Sequence, residues 1–122
     1  MLGWFIVVHQ QTPEQRASAP DKEARLACWD VGLGGLEWIE GLVKGGKAVC
    51  LARGGYPSQY RALAKDVLPL IAEGPPRHTG PLVVGDDYVT PGGWVGQATI
   101  NNDKVAQCPP DQPLTIEAWD QS

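Results

Sequence analysis

A chain of 122 residues with 43% hydrophobic and 20% charged side chains is globular rather than disordered, and its length suits one domain, 1–122. Its formal net charge of −4 argues against a nucleic-acid phosphate partner and against an anionic membrane surface, since both need clustered Lys and Arg. The three cysteines, Cys28, Cys50 and Cys108, include no close pair, which argues against a secreted disulfide scaffold and fits a reducing cytoplasm.

Met1 to Val8 is apolar without a basic leader, and the run is too short for a signal peptide or a membrane span. Leu2 to Val8 reads as a strand, with Trp4, Ile6 and Val8 on one side and Phe5 and Val7 on the other. Both sides are apolar, so an interior sheet position is expected. His9, a lone histidine at the end of that strand, reads as a structural or exposed residue rather than a ligand.

Thr12-Pro13-Glu14-Gln15 has the marks of a helix start: a Thr cap, Pro at the first position and Gln three after the cap. Pro20 interrupts it and Ser18 to Asp21 offers a second start, so Thr12 to Asp21 is expected to be a polar, mobile connection. Lys22 to Leu26 suits a helix. The alternation of Leu26, Cys28 and Asp30 with Ala27, Trp29 and Val31 suits a strand, which is the preferred reading of Ala24 to Val31. Gly32, Gly34 and Gly35 follow as a tight turn. They do not complete a dinucleotide-binding GxGxxG pattern, whose third glycine would fall at Glu37.

The stretch Gly34 to Ala72 organises the rest, and it reads as helix, strand, helix. Leu36, Ile39, Leu42 and Val43 recur at helical spacing, and Gly45-Gly46 supplies a stop. Ala48-Val49-Cys50-Leu51-Ala52 is apolar without alternation, as expected of a strand buried on both faces. A second helix is expected after Pro57, capped by Ser58 and lined by Tyr60, Leu63, Ala64, Val67, Leu68 and Ile71. Pro69 kinks or ends it, and Gly74-Pro75-Pro76 closes the unit.

Leu82 to Val84 reads as a third core strand, followed by the carboxylate pair Asp86-Asp87. A turn at Thr90 to Gly93 precedes Trp94 to Ile100, and Asn101-Asn102-Asp103 signals another turn. Cys108 to Pro113 is irregular. Leu114, Ile116 and Ala118 then alternate with Thr115, Glu117 and Trp119, the pattern of a half-buried strand. The sum is an α/β or α+β fold with a sheet of four to six strands, two main helices and a mixed strand order.

Chemistry-bearing patterns are sparse. Asp86 and Asp87 could hold Mg²⁺ or divide acid and base roles, but only if the backbone turns there, since successive strand residues face opposite ways. Glycines at Arg53-Gly54-Gly55-Tyr56-Pro57-Ser58 could expose amides to an anion, although no GxxxxGK[ST] pattern is present. Cys50 sits in an apolar run and should be inert, whereas Cys108 lies in a loop. Neither cysteine has a base brought to it by spacing from His9 or His78. No CxxC or HxxxH spacing points to zinc, so neither metal nor cofactor is expected. The serines lack a GxSxG elbow. Arg53, Tyr56, Tyr60 and Arg61 cluster around the expected helix start, residue types favoured in protein contacts. Five tryptophans against one phenylalanine suggest packing residues for the most part, with Trp94 a candidate contact.

These patterns favour a small, soluble, cytoplasmic protein that acts without catalysis by binding another macromolecule, in the manner of a bacterial or phage-encoded inhibitor or accessory factor. The expected partner is another protein, and the expected contact residues are Arg53, Tyr56, Tyr60, Asp86, Asp87 and Trp94. The second reading is a small enzyme or ligand-binding domain that uses the Arg53–Ser58 loop together with Asp86 and Asp87. A pocket joining those loops would favour the second reading, and a flat aromatic patch the first.

Overall fold

The computed structural model describes residues 3–54, 56–77, 83–84, 89–90 and 93–121. In chain order the elements are β1 (Trp4–His9), α1 (Pro13–Ser18), β2 (Arg25–Val31), α2 (Glu37–Lys44), β3 (Ala48–Ala52), β4 (Ser58–Leu63), α3 (Ala64–Val67), β5 (Val83–Val84), β6 (Val89–Thr90), β7 (Val95–Ile100), α4 (Asn102–Gln107) and β8 (Pro113–Asp120). Short 3₁₀ turns occupy Lys22–Ala24 and Leu68–Leu70. Six strands form one sheet in the order β3-β4-β8-β1-β2-β7, every neighbouring pair antiparallel. β5 and β6 pair separately. The class is therefore α+β, with the mixed strand order expected.

Alternation of side chains across the sheet decides which face is the core. Ile6, Val8, Ala27, Trp29, Val31, Tyr60, Ala62, Leu114, Ile116 and Ala118 share one face by register and are all buried. Helix α2 covers that face with buried Ile39 and half-buried Trp38, Leu42 and Val43; Ala64, Val67 and Ile71 complete the layer. Trp29 meets Trp38 with ring centroids 5.9 Å apart and planes tilted by 44°. β1 and β8 occupy the middle of the sheet, as the two-sided apolar pattern of β1 predicts. Leu114–Ala118 is buried on both faces, so β8 is more deeply placed than its alternation suggests.

Local chemistry places the helices. The hydroxyl of Thr12 accepts from the Gln15 amide at 3.1 Å, and the Gln15 side chain accepts from the Thr12 amide at 2.9 Å, a complete capping box. The segment expected to be a mobile connection is thus an ordered helix, and Asp21 caps the 3₁₀ turn that leads into β2. The end of α2 is set by Gly46 at φ +76°. There the Lys47 amide reaches the Leu42 carbonyl at 2.8 Å and the Gly46 amide the Val43 carbonyl at 3.1 Å, the pattern that closes a helix with a left-handed residue. Asn101 is not a turn residue but the cap of α4, its side chain accepting from the Lys104 amide.

Three further expectations are corrected. The segment from Ser58 to Leu63 is strand β4, not the start of a second helix; helical structure is confined to Ala64–Val67 and the turn after it. Its Ser58, Tyr60 and Ala62 are buried on the core face while Arg61 is exposed, a period of two that the longer helical spacing masked. Among the described residues β3 is an edge strand paired only with β4, not a strand buried on both faces, and Cys50 within it is only half-buried. β5 pairs with β6 in a separate two-stranded sheet, so it is not the core strand expected at Leu82 to Val84.

Candidate functional site

The β3–β4 hairpin concentrates the features that suit contact with another molecule. Among the described residues the large apolar side chains that stand exposed are Val49, Leu51, Tyr56, Leu70, Val95 and Trp119, and the first three belong to this hairpin. Val49 is 53% exposed, Leu51 45% and Tyr56 71%. Register explains the first of these. Val49 lies opposite Arg61, on the face away from the core, while Ala48 and Cys50 face Ala62 and Tyr60 on the core side. Leu51 occupies a bulge between the pairs Cys50–Tyr60 and Ala52–Gln59.

The hairpin is tied to α2 by one carboxylate. Glu40 accepts from both ends of the Arg53 guanidinium, at 2.8 Å and 3.2 Å, and from the Tyr60 hydroxyl at 2.8 Å. The Arg53 hydrogen bonds hold the Glu40 carboxyl below the usual carboxylate range, with Tyr60 adding to the effect and partial burial opposing it. Tyr60 moves the other way: burial first, then the bond to Glu40, push its hydroxyl well up, so it stays a neutral donor. Arg53 and Tyr60 therefore belong to a clamp that fixes the hairpin. Tyr56 projects beyond it on a loop whose Tyr56–Pro57 peptide is cis.

The remaining expected contact residues are dispersed. Trp94 is half-buried beside β7, with its ring over Gly96, where a Cβ would come within 2.6 Å of the indole and 3.0 Å of the Asp30 Cβ. Asp86, Asp87 and His78 lie outside the described residues. Every neighbouring pair in the main sheet is antiparallel, so that sheet forms no crevice at the carboxyl ends of adjacent parallel strands. Among the described residues, two surface cavities, one between residues 46–49 and 61–66 and one within residues 69–77, are lined by neither Arg53, Tyr56 nor Ser58.

A second polar constellation escaped the reading of the sequence. On the face away from the core, His9 Nε2 meets Glu117 Oε1 at 2.8 Å, Arg16 Nη2 donates to the same oxygen at 3.3 Å, and Gln59 Nε2 donates to Oε2 at 3.3 Å. His9 and Glu117 are only 3% and 6% exposed. The His9 bond holds the Glu117 carboxyl low, against the opposing effect of burial, and the Gln59 bond assists. The cluster joins α1 to the sheet, with His9 and Glu117 buried and Arg16 and Gln59 half-buried. Its members are 108 residues apart at the extreme, a pairing that only the β1–β8 register creates.

The three cysteines are free and half-buried, and burial pushes the Cys108 thiol up, away from reactive thiolate. Among the described residues no three His, Cys, Asp or Glu side chains gather as a metal site, and no helix is long and apolar enough to cross a membrane. No protein-family model, curated protein or solved structure matches this chain.

Proposed function

We propose that this chain acts by binding another protein, with the β3–β4 hairpin as the contact element. The observation that carries the reading is the grouping of Val49, Leu51 and Tyr56 as exposed apolar side chains on one hairpin. Isolated exposed apolar residues are ordinary, but three on one short hairpin are a concentration of the kind that accompanies interaction surfaces. Edge strands also carry unpaired backbone groups, which native proteins blunt or use. The Glu40 clamp supports the reading, because a hairpin already held in place loses less entropy on docking. An inhibitor or accessory role in a bacterial or phage setting is the biological form of this proposal, and a cytoplasmic location goes with it.

Capture from the native host, with mass spectrometry of what is retained, tests the reading. Wild-type protein should retain one specific partner that a Tyr56→Ala, Val49→Ser double variant does not. Equal retention by both proteins would remove the hairpin from the interface.

A further inference from the structure

A groove of about 540 Å³ opens where β3 begins and β4 ends, lined by Lys47, Val49, Arg61, Leu63, Lys65 and Asp66 among others. Three of the chain's ten Lys and Arg residues meet here against one carboxylate, in a molecule whose net charge is −4. They come from different parts of the chain: Lys47 precedes β3, Arg61 lies opposite Val49 on β4, and Lys65 is the second residue of α3. All three are exposed. Among the described residues none of them forms an ion pair, whereas Arg16, Arg53 and Lys104 are each paired with a glutamate. Cations gathered without partners repel one another, and an anionic ligand relieves that repulsion.

The groove is also partly apolar. Val49 and Leu63 lie among the cations, on the side of the sheet away from the core. A small inorganic anion would use only the charges. A segment in which acidic and apolar residues alternate would use both, because side chains two apart in an extended chain share a face. β3 continues from the groove to Leu51 and the exposed hairpin, so one extended segment could follow both surfaces.

We infer that this groove takes an extended acidic segment of the partner protein, its carboxylates on Lys47, Arg61 and Lys65 and its apolar side chains against Val49 and Leu63. This rests on the partner-binding reading of the hairpin and names the partner's chemistry at an adjoining surface.

A blocked, fluorescently labelled peptide alternating Glu and Val is the probe, titrated by anisotropy against the whole chain, with a Lys–Val peptide and inorganic phosphate as comparisons. The Glu–Val peptide should bind, and raising the salt from low to physiological strength should weaken it by about tenfold. Lys47→Glu, Arg61→Glu and Lys65→Glu should each weaken it by a similar factor while thermal melts stay unchanged, since all three side chains are exposed. Lys22→Glu, a reversal at an exposed cation outside the groove's lining, should leave this binding intact, and partner capture by Tyr56→Ala is read separately, so failure of the groove and failure of the hairpin are told apart. No binding of the Glu–Val peptide, equal binding of the Lys–Val peptide, or indifference to the charge reversals would each overturn the inference. Displacement of the peptide by phosphate at matching concentration would overturn it too, in favour of a small-anion site.

Discussion

Arg53 forks onto both carboxylate oxygens of Glu40, at 2.8 Å and 3.2 Å, and so joins the tip of the β3–β4 hairpin to α2 outside the hydrophobic core. The Arg53 side chain is 62% exposed, so by itself the pair adds little stability. Its value lies in geometry. The same carboxylate receives the hydroxyl of Tyr60, whose ring is buried in the core.

Glu40→Ala should therefore destabilise the fold by about 1–3 kcal/mol, because it leaves the Tyr60 hydroxyl without its acceptor. Tyr60→Phe, which removes the hydroxyl and keeps the ring, should cost about 0.5–1.5 kcal/mol. Arg53→Ala should cost the least of the three, because its ion pair stands in solvent. Chemical denaturation of the three variants checks the order. An Arg53→Ala effect as large as that of Glu40→Ala would show that the pair, not the buried hydroxyl, dominates.

The centre of stability should lie in β1 and β8. Ile116 is fully buried between neighbouring strands, and Ile116→Ala should cost about 2–5 kcal/mol. Amide exchange should be slowest along Ile6–Val8 and Leu114–Ala118 and clearly faster along β3, whose outer edge has no strand partner. Exchange at Val49–Leu51 as slow as at Ile116 would place β3 inside a larger sheet.

Acid should weaken the fold through Glu117. A carboxyl held low in the folded state adds stability above its unfolded value of about 4.5 and loses it as the pH falls through the folded value. Wild-type protein should thus lose stability progressively below about pH 4.5. Glu117→Gln should be less stable than wild type at neutral pH, with a shallower fall on acidification. Parallel pH profiles for the two proteins would show that the His9–Glu117 contact does not govern the acid limb. Glu40 is also held low and contributes a limb of the same sign.

How much of this was legible in the sequence depends on whether local or distant residues decide each feature. β1, β2, α2 and β8 could be read from periodicity, and the end of α2 from Gly45-Gly46, because those signals lie within each segment. β4 could not. Tyr60, Leu63, Ala64, Val67 and Ile71 fit a helix, while Ser58, Tyr60 and Ala62 fit a strand equally well, and pairing with β8 decides between them. β3 was recognised as a strand, but its apolar run does not say which strands flank it. Its edge position comes from the order of the whole sheet. Arg53 and Tyr56 were singled out and do sit on an exposed hairpin; Tyr60 was singled out with them and is a buried part of the clamp. The Glu40 partner was missed because it lies on α2, and the His9–Glu117 contact because it joins the two ends of the chain.

The most direct measurement is a calorimetric titration of the captured partner into wild-type protein and into Tyr56→Ala, with a thermal melt of each. Tyr56 is 71% exposed and forms no hydrogen bond among the described residues, so its truncation should leave the melt unchanged. The account predicts weaker partner binding by more than about 1 kcal/mol, roughly a fivefold or greater rise in Kd. Unchanged affinity with an unchanged melt would contradict it and move the contact surface to the Trp94 or Trp119 segments.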